Sequence, residues 1–294
     1  LNALPYEMST AGLAFHKTFM DGYGATVIPA GKGGAYSTPE KTVKVMQDLR
    51  PNVMVTSPSW AVTLAEEAAR RGIDPASLGL ERLWLTGEGC SPAFRRRLEQ
   101  TWNGRANFFY GSLECGVLGI ECDAHSGYHL PAAHVLLELV HPATGQAVPA
   151  GEAGEIVVTA LLRYDSPILR FRTGDLGCLD TRPCACGVTL PRFTLRGRAF
   201  DQIRYRGASL SPMLLEEHLL RMPEVGLWFE FVVPASDDAR VRIRCELARG
   251  VLAEPGLSEE IAARMEAATG LPFEVELVDR MPRPTVKATR VVRG

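Results

Sequence analysis

The sequence lacks the features that would place it in a membrane or on a nucleic acid. No apolar run approaches the ~20 residues that a transmembrane helix needs. The formal net charge of −2 gives no electrostatic reason to bind nucleic acid or an anionic membrane. A signal-peptide pattern is also missing, although Leu1 is not an initiator methionine and the natural N-terminus stays open. We therefore expect a cytoplasmic protein that binds neither nucleic acid nor membrane.

The cysteines lack the even number that a disulfide framework needs. Seven are present, at positions 90, 115, 122, 178, 184, 186 and 245, and without a secretory signal this favours reduced thiols or a metal site. Cys184 and Cys186 enclose a single residue, and with Cys122, His125 or His129 they could supply four ligands to a tetrahedral, structural Zn²⁺. The alternative is that these thiols are free and buried as small hydrophobic groups.

Hydrophobic periodicity divides the chain into three regions of an α/β protein. Over residues 1–110, helices alternate with strands, which predicts a parallel sheet covered by helices. Residues 111–196 carry short apolar runs between turn signals and predict a β-rich, antiparallel part of the same large domain. Residues 197–294 predict a small, mobile α+β domain. The predicted helices are 39–50, 58–71, 92–102, 211–222 and 258–269, and the predicted strands are 53–56, 82–86, 105–109, 135–140, 156–162, 167–171, 176–179, 192–195, 228–233, 241–247 and 273–277.

Two of the predicted strands end in residues that suit a nucleotide. Gly87, Glu88 and Gly89 follow one of them, at the carboxyl edge where open parallel sheets bind ligands. Tyr110 and Gly111 follow another, where a ring could stack on a base and a glycine allows close backbone approach. The alternatives are a plain strand-to-helix loop and a tyrosine packed into the core.

Asp175 and Arg198 could bind the sugar and phosphate of the same ligand. A carboxylate beside a glycine can accept hydrogen bonds from two ribose hydroxyls, and an arginine nearby can meet phosphate. A structural salt bridge from Asp175 to Arg170 or Arg172 is the alternative.

Glu114 and Lys287 add charges of opposite sign. Glu114 could hold a hard cation such as Mg²⁺. Lys287 lies on a proline-rich tail that could swing into a cleft as a mobile point charge, or could remain solvated.

The order of these motifs is more specific than any one of them. Gly-Glu after a strand, Tyr-Gly-x-x-Glu, Arg-x-Gly-Asp, Gly-Arg at a domain boundary and a terminal lysine resemble the adenylate-forming superfamily of acyl-CoA synthetases, adenylation domains and luciferases. Within it, the chain looks most like the phenylacetate–coenzyme A ligase family over nearly its whole length, on residues 167–175, 206–212 and 282–290. Many members also carry a Cys…Gly-x-His…Cys-x-Cys-Gly zinc pattern, which this sequence matches.

The resemblance implies a role for each candidate residue. Gly87, Glu88 and Gly89 would border adenine, and Tyr110 would stack on it beside Gly111. Asp175 would bind the ribose hydroxyls, Arg198 would approach phosphate or ribose, and Lys287 would neutralise developing charge. Glu114 would hold Mg²⁺, and a structural Zn²⁺ would be bound by Cys122, His129, Cys184 and Cys186.

The implied reaction activates a carboxylic acid with ATP, releasing pyrophosphate, and then transfers the acyl group to coenzyme A. Transfer would follow rotation of the small domain about a hinge near residues 198–201. Aromatic and small residues at 6–12, with Trp60, suit an aromatic acid. An amine or a carrier-protein thiol as acceptor, and a zinc-stabilised nucleotide-binding remnant, are the alternatives. The sequence leaves open whether the protein forms a homodimer.

Three departures from the family pattern affect the expected activity. The glycine- and Ser/Thr-rich phosphate loop is absent, because the sequence starts in what resembles the segment after it. Leu113 stands where the family usually has Ser or Thr, and Phe200 where the hinge usually has Asp or Lys. We therefore expect either a fragment of a longer protein or a chain that handles ATP poorly.

Overall fold

The computed structural model describes residues 1–7, 9–205, 207–236 and 239–293, so Arg206 of the predicted 206–212 motif lies outside the described residues. The chain divides into two compact units. The first comprises Leu1–Glu88, Leu98–Ala199 and Thr285–Lys287, and the second comprises Gly89–Arg97, Phe200–Pro284 and Ala288–Gly294. The sequence predicts a single domain boundary, between residues 196 and 197. It does not predict that each unit includes a short segment from elsewhere in the chain.

The elements alternate early and become strand-rich later. The helices are α1 (Thr10–Tyr23), α2 (Pro39–Leu49), α3 (Pro58–Arg70), α4 (Pro92–Trp102), α5 (Pro212–Leu220) and α6 (Leu257–Thr269), with a short 3-10 helix at Pro75–Leu78. The strands are β1 (Val53–Thr56), β2 (Arg82–Leu85), β3 (Arg105–Ser112), β4 (Gly116–Glu121), β5 (Tyr128–His129), β6 (Val135–Val140), β7 (Ala153–Ala160), β8 (Phe171–Asp180), β9 (Arg192–Arg198), β10 (Ile203–Tyr205), β11 (Ala208–Leu210), β12 (Val225–Val233), β13 (Val241–Leu247), β14 (Phe273–Leu277) and β15 (Val291–Arg293). Within the described residues, no helix is both long and apolar enough to span a bilayer.

Helices α2 and α3 begin where the sequence predicts because each has a complete N-terminal signal. Thr38 and Ser57 are extended N-caps whose hydroxyls accept hydrogen bonds from the backbone N–H groups of Lys41 and Trp60. A proline follows each cap, where its fixed φ favours the first helical turn. Most of α3 is buried, including Trp60 at 2% exposure. Burial of an apolar side chain of this kind contributes about 1.5–3 kcal/mol.

The first unit is built on a nine-stranded sheet in the order β1-β2-β3-β4-β5-β9-β8-β7-β6. Strands β1, β2 and β3 pair in parallel, and the pairs from β3 onward are antiparallel. The predicted α/β class, with a parallel part and a β-rich part, is therefore confirmed. Two of the predictions within it are wrong, since β3 continues through Ser112 and only Phe171 of the strand predicted at 167–171 lies in a strand, β8, which also contains the strand predicted at 176–179.

Strand β8 continues through Gly174, which lies between the strands predicted at 167–171 and 176–179. Gly174 has a φ of +75°, and the register on β7 shifts between Glu155 and Val157. The Thr173 hydroxyl donates to the backbone oxygen of Ile156 at 2.9 Å and ties the two strands together at this irregularity. The strand therefore continues with an altered twist, which local propensity alone does not reveal.

The second unit has a four-stranded sheet in the order β14-β13-β12-β15 and a separate β10–β11 hairpin. Its interior contains Phe229, Phe231, Ile243 and Phe273, all at 1% exposure or less. Helices α5 and α6 belong to this unit, as the sequence predicts. It therefore has an apolar core of its own.

Candidate functional site

Asp175 is held by a donor from each of two other strands. The Tyr110 hydroxyl of β3 donates to Asp175 Oδ2 at 2.6 Å. Arg198 is the cross-strand partner of Asp175 on β9, and its Nε lies 3.2 Å from Oδ1. The alternative salt bridges are wrong, because Arg170 pairs with Glu138 and Arg172 with Glu155. The carboxylate is therefore fixed and partly open, with its side chain 18% exposed.

The Tyr110 ring is half-buried among other aromatic rings. It packs edge-on against Phe193 at a centroid distance of 5.6 Å and tilted against Tyr128 at 6.0 Å. Burial raises the pKa of the Tyr110 hydroxyl, and the neighbouring Asp175 charge raises it further. The phenol therefore stays protonated and remains a donor, while its stacking on a base stays a prediction.

Gly111 and Glu114 shape the hairpin that joins β3 and β4. A Cβ on Gly111 would lie 2.4 Å from the backbone oxygen of Gly116, so the hairpin closes only with glycine there. Glu114 is exposed in the turn, and its own backbone N–H and the Ser112 hydroxyl lower the pKa of its carboxyl. Glu114 is therefore ionised at neutral pH, next to a Leu113 that is 67% exposed.

Glu88 contacts a buried cluster that sequence reasoning missed. Its carboxylate accepts hydrogen bonds from the backbone N–H and the hydroxyl of Ser59, at 3.1 and 2.6 Å. Lys32 Nζ lies 3.7 Å away, and both charged side chains are less than a tenth exposed. Gly87 has a φ of +85°, whereas Gly89 belongs to the second unit. The contacts of Glu88 are with Ser59 and Lys32, and its position beside adenine stays a prediction.

Lys287 lies in a short segment that belongs to the first unit. The segment is Thr285–Lys287, and the backbone oxygen of Val286 accepts a hydrogen bond from Lys32 Nζ at 2.6 Å. Burial lowers the pKa of Lys32, the Glu88 charge opposes that shift, and the Lys287 charge adds to it. The sequence marked Lys287 as a candidate but gave no signal for Lys32 beyond the glycines beside it.

The structure brings together the four residues predicted as a metal site. Ligand atoms of Cys122, His129, Cys184 and Cys186 all lie within 4.8 Å of one another. The Sγ atoms of Cys122 and Cys184 are 3.7 Å apart, and Cys186 Sγ is 3.3 Å from His129 Nε2. His125, the fifth candidate, faces Glu121 instead, with Nδ1 3.3 Å from its carboxylate. The cluster joins β5, the end of β4 and the β8–β9 loop.

Arg192 links the two loops that carry this cluster, and sequence reasoning missed it. From β9, its Nη1 donates to the backbone oxygen and hydroxyl of Ser126, both at 2.6 Å. Its Nη2 donates to the backbone oxygen of Arg182 at 2.9 Å and to Asp180 at 3.3 Å. The Cys186 N–H and the Ser126 hydroxyl lower the pKa of the Cys184 thiol, whereas burial raises the pKa of the Cys122 thiol. A buried arginine at the start of a strand gives no local signal of this role.

Solved structures of CoA ligases share the fold of this chain. A crystal structure of 2-hydroxyisobutyryl-CoA ligase in the postadenylation state, in complex with 2-HIB-AMP, has a TM-score of 0.91 at 24% identity and covers 99% of this chain and 64% of that chain. The anthranilate CoA ligase AuaEII in complex with anthranoyl-AMP has a TM-score of 0.65 at 17% identity, covering 87% of this chain and 52% of that one. At these identities the likeness establishes the fold.

The chain belongs to the AMP-binding enzyme family, which it matches over residues 10–160. It is similar to the phenylacetate-coenzyme A ligase of Thermus thermophilus, with 32% identity over 94% of this chain and 66% of that protein. The Pseudomonas putida ligase of the same name is 32% identical over 76% of this chain and 50% of that protein. The Escherichia coli one is 27% identical over 98% and 67%. The chain thus spans between half and two thirds of these relatives, and the resemblance stated from the motifs is confirmed.

Proposed function

We propose that this chain carries the nucleotide-binding part of an ATP-dependent, AMP-forming ligase that activates an aromatic carboxylic acid. The acid's carboxylate attacks the α-phosphate of ATP, the bond to the leaving pyrophosphate breaks, and an acyl-adenylate forms. A coenzyme A thiol then attacks the acyl carbon and AMP leaves. The names of the similar ligases support both the aromatic acid and the coenzyme A acceptor.

The observation that carries the proposal is the fixed Asp175 carboxylate. Tyr110 occupies one lone-pair site on Oδ2 and Arg198 one on Oδ1, and a carboxylate has about four such sites. The sites left over suit the two adjacent hydroxyls of a ribose. Arg198 would then lie beside the sugar–phosphate link, and Lys287 would neutralise charge at the α-phosphate. Gly87, Glu88, Gly89 and Gly111 would border the nucleotide.

Exchange of labelled pyrophosphate into ATP tests the first half-reaction in the intact protein. We expect exchange with phenylacetate or benzoate that exceeds exchange with hexanoate, and we expect Asp175→Asn to raise the KM for ATP about tenfold or more. Asp48→Asn is the control, because Asp48 lies on the exposed face of α2 and, among the residues that the structure describes, pairs only with Lys44. AMP binding without exchange for any acid would favour the nucleotide-binding remnant instead.

The acceptor is tested in a second assay on the same protein. We expect a thioester when acyl-adenylate and coenzyme A are supplied together, and no comparable product with simple amines. A product only with an amine or with a carrier-protein thiol would move the chain to the corresponding branch of the superfamily. The first half-reaction is common to all three, so only the acceptor part of the proposal would change.

Glu114 fits a magnesium site near the phosphates. It is exposed and ionised, and Mg²⁺ in phosphate-transfer sites is usually held by one or two carboxylates together with the substrate phosphates. When bound, the ion would screen phosphate charge. Leu113 offers no hydroxyl beside it, so we expect a weaker site than in relatives that have Ser or Thr there. Glu114→Gln should raise the magnesium concentration needed for half-maximal exchange.

The four-residue cluster fits a structural zinc ion. With Zn–S bonds of about 2.3 Å, two sulfurs in a tetrahedron lie about 3.8 Å apart, and the Cys122–Cys184 separation is 3.7 Å. We propose that Cys122, His129, Cys184 and Cys186 hold zinc and fasten the β8–β9 loop to β5.

Elemental analysis should give one zinc per chain. Arg192→Leu should weaken zinc binding about 10–100-fold. The control is Arg105→Leu, because Arg105 is exposed on β3. Native protein that contains no zinc would contradict the proposed zinc site.

A further inference from the structure

Lys32 is a buried cation whose three contacts all lie in the first unit. Its side chain is only 5% exposed. Its Nζ donates to Ser57 Oγ at 2.7 Å and to the backbone oxygen of Val286 at 2.6 Å, and it lies 3.7 Å from Glu88 Oε1. Two of the three N–H donors of the ammonium group bind the Ser57 and Val286 oxygens, and the Glu88 carboxylate supplies the opposing charge. Burying a lysine charge costs stability unless the charge is paired. The paired burial of Lys32 therefore indicates a specific role for this side chain.

The turn around Lys32 is shaped to fit the segment Thr285–Lys287. Gly31 and Gly33 have φ values of +72° and +69°, which side chains rarely adopt. A Cβ on Gly33 would lie 2.9 Å from the Thr285 Cβ, so the glycine also makes room for this segment. Glycine on both sides of Lys32 thus lets its ammonium reach the Val286 oxygen while the backbone stays close to Thr285.

Lys287 follows directly after the residue that Lys32 holds. The Val286 side chain is 74% exposed, so apolar packing does not fix this point of the segment. The hydrogen bond from Lys32 fixes its backbone instead. Burial and the Lys287 charge lower the pKa of Lys32, and Glu88 supplies the opposing charge.

We propose that Lys32 is a positioning residue for Lys287: held by Glu88 and Ser57, it fixes the Val286 carbonyl and so sets where the Lys287 ammonium lies for adenylate formation. The role rests on the proposed function for its catalytic consequence. The positioning itself rests only on contacts in the first unit. Glu88 then affects the position of Lys287 through Lys32. The Gly87–Gly89 loop and Lys287 thus depend on the buried ion pair between Lys32 and Glu88.

A protease assay tests the positioning without any activity. Proteolysis of a native protein requires local release of the cleaved segment, and the chain has only five lysines, at positions 17, 32, 41, 44 and 287. In the intact protein, Lys32→Met should speed cleavage after Lys287 by a lysine-specific protease on the order of tenfold. Cleavage after Lys44 should not change. Lys32→Arg, which keeps a cation for Glu88 and a donor for Val286, should recover most of the protection.

Kinetics then test the consequence. Lys32→Met should lower kcat for pyrophosphate exchange about 100-fold, since a misplacement near 1 Å can cost that much. Thioester formation from supplied acyl-adenylate should stay within about twofold, because Lys287 serves adenylation. Lys44→Met, on the exposed face of α2, is the matched control. If Lys32→Met fails to fold because Glu88 loses its cation, the double variant K32M/E88Q removes the pair together.

The outcomes separate this inference from the proposed function. If Lys287→Ala abolishes exchange while Lys32→Met leaves exchange and cleavage unchanged, positioning by Lys32 is wrong and the ligase proposal stands. Equal loss of exchange and thioester formation in Lys32→Met also overturns positioning. If Lys287→Ala has no effect on exchange, the proposed function fails, and faster cleavage in Lys32→Met would still support the contact with Val286.

Discussion

Asp175 illustrates how a single side chain is prepared before a ligand arrives. A free aspartate would sample several rotamers and would have to be ordered on binding, at a cost in side-chain entropy. Here Tyr110 and Arg198 already fix both carboxylate oxygens. The arginine also offsets the cost of keeping a partly buried negative charge. Ribose binding would therefore not be weakened by the cost of ordering the carboxylate.

Tyr110→Phe tests this preparation because it removes the hydroxyl and keeps the ring. A hydrogen bond to a charged group contributes about 1.5–3 kcal/mol, and water can replace part of it because Asp175 is 18% exposed. We expect the Kd for AMP, measured by titration calorimetry, to rise about tenfold. Tyr164→Phe is the control, since Tyr164 is 80% exposed. An unchanged Kd would show that Arg198 alone orients the carboxylate.

Glu67 on α3 makes a pH-dependent contribution to stability. Its carboxylate accepts two hydrogen bonds from Arg70, both at 2.7 Å, and these, with Arg71, hold the pKa of the carboxyl below its usual value. The native state thus binds fewer protons than the unfolded state near pH 4. The stabilisation is complete above the ordinary glutamate pKa of about 4.3 and is lost as pH falls through the lower native value.

Glu67→Gln should therefore lower the free energy of unfolding at pH 7 by about 1 kcal/mol, a value reduced because the Arg70 side chain is 64% exposed. The difference from wild type should shrink as the pH is lowered below about 4. Urea denaturation at several pH values measures both. Asp48→Asn, on an exposed pair of α2, should change little at any pH. A constant difference down to the lowest pH would contradict the ionic origin.

At the scale of elements, the β3–β4 hairpin depends on the missing side chain of Gly111. Gly111 pairs with Val117, and its Cβ would collide with the backbone of Gly116, which cannot rotate away as a side chain could. Gly111→Ala should cost about 1–3 kcal/mol of stability by thermal denaturation, and AMP binding should weaken because Tyr110 precedes it. Gly22→Ala in α1, where nothing lies within 4 Å, should instead stabilise by up to about 1 kcal/mol. Similar effects of both substitutions would rule out the clash.

Helices with complete local signals begin where the sequence predicts. Helices α2 and α3 have a capping residue, a proline and an apolar stripe, and they begin where predicted. Helix α1 was missed because Gly12 is its one buried residue, so its apolar side chains give no stripe that faces a core. The full extent of β8 was missed because its continuity depends on pairing with β7 and β9, which lie elsewhere in the sequence.

Site residues divide in the same way. Cysteine and histidine at metal-like spacing carry their chemistry in the residue type, and the four predicted ligands indeed lie together. Asp175 and Arg198 stood out because glycines flank or precede them. Lys32 gave no signal beyond the glycines beside it, and Arg192 gave none, since the contacts that define them join separate segments of the chain. The oxygen that Lys32 binds is 254 residues away, and no local pattern encodes a contact of that kind.

At the scale of the whole molecule, the chain has two apolar cores and one predicted ribose site. Phe193 and Leu118 are fully buried in the first unit, and Phe231 and Ile261 are fully buried in the second. Tyr110, Asp175 and Arg198 all belong to the first unit. Of the proposed nucleotide-binding residues, Gly89 alone belongs to the second unit, and a ligand bound mainly by one unit stabilises mainly that unit, unless the two unfold together.

Calorimetry with AMP should therefore show two unfolding transitions, only one of which responds. At 100 times its Kd, AMP should stabilise the first unit by about 2.7 kcal/mol and leave the second transition in place. Hydrogen exchange identifies the units, because β2 and β3 should gain protection while β12 and β13 should not. Asp175→Asn should remove the shift without moving the second transition. If both transitions shift together, or only one is seen, the units unfold as a single cooperative structure and the ribose site stabilises the whole chain.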